Sequence, residues 1–238
     1  MSSTLTATGG RLYSLQRLKQ VRLEALLEFF DALPLDPYLG EEYRYRCFSR
    51  FRLAGGELVQ LPPEPFIQRS EHNPLLGGVS REYAELDADL TPAEDFRSIL
   101  RDFLGQCESL PDETELGVHQ IRVVSERGRV GRPTPEGIHA DGFDYVGIFC
   151  VGRCDVSGGE TYLYESKDGP PVYRTLLEPG DLLVFNDRGL YHYTSPILAP
   201  DTRRGTRDVF ILTAWTSPKL TPARVRPTRR QLNRHHRR

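Results

Sequence analysis

Gly158-Gly159-Glu160-Thr161-Tyr162-Leu163-Tyr164 leads through Asp168-Gly169-Pro170-Pro171 to Val172-Tyr173-Arg174-Thr175-Leu176, and then through Glu178-Pro179-Gly180 to Asp181-Leu182-Leu183-Val184-Phe185. Each run is short and apolar or aromatic, and each gap is a cluster of Gly, Pro and Asp. That is the pattern of strands joined by turns. The pattern continues on both sides, in Gln120 to Val124, Tyr145 to Val151, Tyr191 to Ile197 and Arg207 to Trp215. Several short strands with close turns and no helix between them require a sandwich or a barrel. A double-stranded β-helix, the cupin-like jelly roll, fits this spacing and can hold a ligand between opposing strands.

The first half of the chain reads differently. Ser14 to Phe30 spaces Leu15, Leu18, Leu23, Leu26, Leu27 and Phe30 near helical period, which predicts a helix ending before Pro34. Tyr43 to Leu61 alternates and turns at Ala54-Gly55-Gly56, so it predicts a hairpin, and Pro62 to Gly78 reads as loop. Thr91-Pro92-Ala93-Glu94 has the form of a capping box before a second helix with an apolar stripe from Phe96 to Leu104. The expectation is a single globular domain, mainly β with flanking helices. Residues 1–117 are a layer of helices, hairpin and loops, 118–216 the catalytic jelly-roll core, and 217–238 a basic, flexible tail.

His139-Ala140-Asp141 sits inside the β half, with His192 and Arg207 downstream. Residues two apart on a strand face the same way, so His139 and Asp141 can hold one metal ion, and His192 can reach it from another strand. Two imidazoles and one carboxylate form the facial triad of a non-haem iron(II) site. An HxD tripeptide is common by chance, so its surroundings matter. Of the six histidines, His235 and His236 lie in the basic tail, and of His72, His119, His139 and His192 only the last two fall in runs that read as strands of one β-domain.

Composition sets the outer limits. The chain has 238 residues, a 38% hydrophobic fraction and a net charge of −2, which suits one sizeable folded domain. Residues 219–238 hold basic side chains and no acid, and they lack the aromatic residues of a nucleic-acid binding tail, so neither nucleic acid nor a membrane is expected as partner. Cys47, Cys107, Cys150 and Cys154 form no CxxC pair and read as free thiols in a reducing compartment. The first residues lack the charged start and apolar run of a signal peptide, and no apolar run reaches membrane-spanning length. A soluble, cytoplasmic protein is expected, with its oligomeric state open.

Pro135-Glu136-Gly137-Ile138-His139-Ala140-Asp141-Gly142-Phe143-Asp144-Tyr145 resembles the iron and 2-oxoglutarate dioxygenases similar to bacterial isoleucine 4-hydroxylase. So do Asn73-Pro74, Gly77-Gly78-x-x-Arg81-x-Tyr83, Val118-His119-Gln120-x-Arg122, Gly158-Gly159-Glu160-Thr161 and Arg207-Asp208. The resemblance covers roughly residues 70–215. It implies that His139, Asp141 and His192 hold Fe(II), and that Arg207 takes the distal carboxylate of 2-oxoglutarate. Arg203 and Arg204 are rival anchors in the adjoining turn. It further implies oxidation by O2, release of succinate and CO2, and transfer of hydroxyl to a C–H bond. Asp141 argues against halogenation, because related halogenases lack that carboxylate.

The resemblance points to a small, free aliphatic L-amino acid as substrate. Both charges of such a molecule need partners when buried. Arg81 and Arg122 are candidates for its carboxylate, Glu136 and Asp144 for its ammonium, and Tyr145 for a hydrogen bond to co-substrate or substrate. An ordinary ion pair is an equal reading for each. Desaturation, cyclisation or a carrier-bound or peptidyl substrate would use the same cofactors. A reading of another class is a non-catalytic jelly-roll binding module whose metal is structural or absent; a cupin-type isomerase would have no need of an arginine placed like Arg207.

Overall fold

The computed structural model describes residues 3–7, 10–39, 41–55, 57–111, 114–127, 129–200 and 203–216, and the basic tail at 217–238 lies outside them. In chain order the elements begin with β1 (Ser3–Ala7), β2 (Gly10–Arg17), α1 (Leu23–Leu27), a 3-10 turn (Glu28–Phe30), β3 (Arg44–Ala54), β4 (Glu57–Gln60) and α2 (Glu94–Gln106). They continue with β5 (Glu115–Glu126), β6 (Tyr145–Cys154), β7 (Ser157–Gly158), β8 (Glu160–Tyr164), β9 (Tyr173–Leu176), β10 (Asp181–Asn186), β11 (Tyr191–Thr194), β12 (Ile197–Leu198) and β13 (Arg204–Trp215). An eight-stranded sheet runs β1-β2-β10-β6-β13-β5-β3-β4. A smaller sheet, β11-β8-β9, and the pair β12-β7 complete the jelly roll.

Period-two alternation sorts the large sheet into two faces. Phe149 and Val151 of β6, Leu182 and Val184 of β10, and Phe210 and Leu212 of β13 point to one side, where they pack with Phe96, Ile99, Leu100 and Phe103 of α2. Val146, Ile148 and Cys150, Leu183 and Phe185, and Val209 and Ile211 point to the other, toward Leu163 of the small sheet. Helices therefore cover one face and the small sheet covers the other.

Two expectations for the N-terminal half are corrected. Gly10 to Arg17 is strand, so the predicted helix from Ser14 shrinks to α1 and its 3-10 extension. Tertiary pairing overrides the helical spacing here: Leu15 lies opposite Leu183 of β10, and the Arg17 guanidinium reaches the Asp181 carboxylate at 2.7 Å. The capping box at Thr91 does not form. The α2 helix starts at Glu94 with Ala93 as its unassisted cap, and the Thr91 hydroxyl turns toward the Ala88 carbonyl. The helix is held instead through Asp95, whose carboxylate accepts from the backbone N–H and Nε of Arg22.

Candidate active site

His139 and His192 meet across an isolated antiparallel bridge. The His139 N–H donates to the His192 carbonyl at 3.1 Å, and the His192 N–H donates back at 2.7 Å. This pairing brings the two rings to a centroid separation of 4.2 Å. Asp141 follows on the same side, with Oδ1 3.6 Å from His139 Nε2 and Oδ2 3.7 Å from His192 Nε2. One ligand atom from each of the three residues lies within 4.8 Å of the others, a spread that one metal ion can draw together.

The supporting contacts aim these donors. Gly137 carbonyl lies 2.9 Å from His139 Nδ1, which leaves Nε2 of that ring for a metal. Gln68 Nε2 donates to Asp141 Oδ1 at 2.8 Å. The loop beyond Asp141 is pinned by Asp187, whose carboxylate accepts from the N–H groups of Asp141, Gly142 and Phe143 at 3.1, 2.7 and 2.9 Å. Gly142 takes φ +87° in this loop and lies against the His72 ring, so only glycine fits there.

The electrostatics fit a cation. Burial pushes the Asp141 carboxyl up, but its contact with His139, the His192 ring and Gln68 outweigh that and hold it well below the usual carboxylate range. Burial alone would lower His139; Asp141 and Glu136 reverse this and raise it to about 9. His192 is lowered to about 3 by burial and by the charge on His139. Asp187 is raised to about 7 by burial and by Asp141, against the three backbone bonds it accepts. The pocket thus holds an ionised carboxylate and one neutral imidazole, together with a second imidazole whose proton a metal would displace.

The large sheet supplies the rest of the cavity. Arg207, Val209, Ile211 and Thr213 of β13, His119, Ile121 and Val123 of β5, and Arg44 and Arg46 of β3 line it on one side, with Thr194 of β11 opposite. Arg207 is 2% exposed, and its Nε and one Nη have no partner among the described residues. Burial lowers its affinity for a proton, but a guanidinium remains charged under any ordinary condition. A Cβ on Gly159 would strike Arg153 and press on the Arg207 side chain, which accounts for the glycine in the Gly-Gly-Glu-Thr run. An unpaired buried fork of this kind suits a carboxylate.

The expected residues separate cleanly. Arg81 and Glu136 line the cavity, with Glu136 Oε1 3.3 Å from His139 Nε2. Arg122, Asp144 and Tyr145 are corrected. Arg122 lies on the helix-facing side of β5, because its neighbours Ile121 and Val123 take the cavity side, and it pairs with Asp208 and Asp31. Asp144 accepts from Arg188 and from the backbone and hydroxyl of Thr216. Tyr145 starts β6 on the face opposite Ile148 and donates its hydroxyl to the Glu108 carbonyl at 3.2 Å. The rival Arg203 pairs with Asp155 at the surface.

Gln68, Asp187, Arg46 and His119 were not foreseen as site residues. Their positions depend on strand register and on the path of the 66–81 segment. The Phe66–Arg81 backbone bridge and the Gly78 N–H bond to the Gln68 carbonyl fold that segment back to the cavity.

Two imidazoles, a carboxylate and a buried unpaired guanidinium on a jelly roll define a non-haem iron oxygenase. The chain belongs to the 2OG-Fe dioxygenase family, which its residues 27–213 match. Its cofactors are accordingly Fe(II), 2-oxoglutarate and O2. It is 24% identical over 210 residues to a 3(1)-hydroxy-L-isoleucine 4-dioxygenase of Pantoea ananatis, across 85% of each chain. Its fold superposes on a bsmA homolog from Methylobium petroleophilum PM1 with a TM-score of 0.74 and 30% identity, covering 84% of this chain and 83% of that one. It is also similar in fold to IDO from Bacillus thuringiensis, with a TM-score of 0.68, 16% identity and 82% of each chain covered. No described helix is long and apolar enough to cross a membrane.

Proposed function

We propose that this dioxygenase hydroxylates an unactivated C–H bond of a small, free L-amino acid with an aliphatic side chain. The observation that carries this reading is the presence of three buried guanidiniums in one cavity, Arg207, Arg81 and Arg46, none paired with a carboxylate among the described residues. Arg207 serves the distal carboxylate of 2-oxoglutarate, and Arg81 serves the carboxylate of the substrate. Glu136, on the same cavity, accepts from the ammonium. Phe66, Leu75, Leu76 and Phe143 supply an apolar wall for the side chain.

His139, Asp141 and His192 would hold the iron. When bound with 2-oxoglutarate and O2 it would supply oxidising chemistry that places one oxygen atom in a substrate C–H bond and the other in succinate, with loss of CO2. The protein's own work is positional. Gln68 and Asp187 hold the ligand-bearing loop, Arg207 fixes the co-substrate, and Arg81 with Glu136 holds the substrate by its two charges. The buried Phe66, Ile148 and Val209 on the inner side of the cavity exclude water there. The similarity to a hydroxyisoleucine dioxygenase supports an amino acid as substrate. The free thiols of Cys47, Cys107, Cys150 and Cys154 support a cytoplasmic setting.

The test is incubation with Fe(II), 2-oxoglutarate and a panel of aliphatic L-amino acids. We expect succinate together with a product 16 mass units heavier. A product two units lighter would mean desaturation or ring closure, and no product from an iron-loaded enzyme across the panel would overturn the substrate assignment.

A further inference from the structure

One wall of the cavity carries two buried donors without a partner among the described residues, Arg81 Nε and His119 Nε2, beside the guanidinium of Arg46. Arg46 and Arg81 are 7% and 2% exposed. Arg46 spends its hydrogen bonds on His119, and Arg81 donates to the Gln68 side-chain oxygen at 2.7 Å, leaving its Nε unpartnered. Neither meets an acidic side chain among the described residues. Arg44, two positions from Arg46 on the same strand face, shows the contrary case, since it is locked to Asp36 at 2.8 Å. The three side chains surround one ring. The Arg81 and Arg46 guanidinium carbons lie 4.6 and 5.6 Å from the Phe66 centroid, and the His119 ring meets Phe66 edge-on at 4.6 Å.

The geometry fixes the tautomer of His119. Arg46 Nε and one Nη approach His119 Nδ1 at 3.2 and 2.8 Å. A guanidinium has donors only, so Nδ1 must accept, and the single ring proton must sit on Nε2. Nε2 is buried, belongs to a residue lining the cavity, and has no partner among the described residues. Phe48 stacks on the ring at 4.3 Å and keeps it from turning away.

We propose that Arg46, His119 and Arg81 form one anion-binding wall that takes the substrate carboxylate, with His119 acting as an uncharged N–H donor beside two guanidiniums. This rests on the reading that the substrate carries a carboxylate. The wall is distinct from the Arg207 anchor, because Arg81 is tied through Gln68 to Asp141, whereas Arg207 stands on β13 opposite Val123. Two guanidiniums and the His119 N–H present donors only, so the wall selects a planar anion over a neutral amide, whose NH2 would face them unpaired.

The experiment is independent of turnover. Zn(II) replaces iron and 2-oxoglutarate is saturating, so that Arg207 is already engaged, and the histidines carry a nitrogen-15 label. The His119 signal is assigned by its loss in His119→Gln. The probes are 3-methylbutanoate, which is valine without its amino group, and its carboxamide.

We expect a proton on His119 Nε2 before addition, a shift of that signal with the carboxylate, and at least about tenfold weaker binding of the amide. Arg81→Leu should weaken carboxylate binding by about tenfold or more and leave 2-oxoglutarate affinity within about twofold. If Arg81→Leu fails to fold, Arg81→Lys keeps the charge, loses the fork and should show a smaller loss of the same kind. A proton on Nδ1, an equal response to acid and amide, no response to the carboxylate, or a shift produced by 2-oxoglutarate alone would overturn the proposal. Because neither probe is an amino acid, a failed hydroxylation panel leaves this result intact.

Discussion

Arg122 and Arg207 lie on neighbouring strands, one register step apart, and have opposite fates. Asp208 faces Arg122 across the β5–β13 ladder, and Arg207 faces Val123. On the helix side the Arg122 guanidinium is saturated by Asp208 at 2.7 and 2.9 Å and by Asp31. On the cavity side Arg207 is more deeply buried than Arg122, and its Nε and one Nη have no partner among the described residues. A protein does not leave a buried guanidinium uncompensated without reason, because the desolvation cost is not recovered. The paired arginine is part of the fold, and the unpaired one is the anchor we propose for the 2-oxoglutarate carboxylate.

Substitutions can break this contrast at several strengths. The largest effect is expected from His139→Ala, which should bring iron content and turnover to background, as measured by metal analysis and succinate release. Next comes a pair of variants with crossed outcomes. Arg207→Leu should raise the KM for 2-oxoglutarate by about 100-fold or more while leaving thermal stability unchanged or improved, since a lone buried charge is removed. Arg122→Leu should do the reverse and destabilise the fold by ~3 kcal/mol through the orphaned Asp208, as seen by chemical denaturation, with the folded fraction retaining its KM. Equal effects of the two on KM would collapse the distinction.

Gln68→Leu should weaken iron binding or turnover by about 10- to 100-fold, the usual scale for a residue that orients a metal ligand. The mildest effect is pH dependence. His139 in the metal-free protein keeps its proton up to about 9 and must lose it when iron binds, so iron affinity rises with pH below that point. Moving from pH 8 to pH 7 should weaken it by about tenfold, measured by titration with Co(II) as a spectroscopic substitute. Capture of 2-oxoglutarate by Arg207 should not follow that slope, because its guanidinium does not titrate there.

What was legible in the sequence follows from what is local. His139 and Asp141 are two residues apart on an extended segment, so their common direction needs no knowledge of the rest of the fold. The turn clusters between Gly158 and Asp181 mark β8, β9 and β10 for the same reason. Arg207 could be chosen by its chemistry and its distance from His192. Arg122 could not be sorted in this way. Its face depends on the pairing of β5 with β13, which is long-range, and a one-residue difference reverses it. Tyr145 failed on the same ground, since its strand offers either face until a partner is known. The strand at Gly10–Arg17 was hidden because β10 chooses it, against the helical spacing of its leucines.

Gln68 has a carbonyl at one end of its amide and an amino group at the other. It lies between Arg81, which only gives hydrogen, and Asp141, which only takes it. The linker therefore fits in a single orientation, like a key with one toothed edge. A glutamate of the same length could satisfy the arginine but would set one carboxylate against another, so the identity of this residue enforces the order cation, amide, anion along the line from substrate pocket to metal.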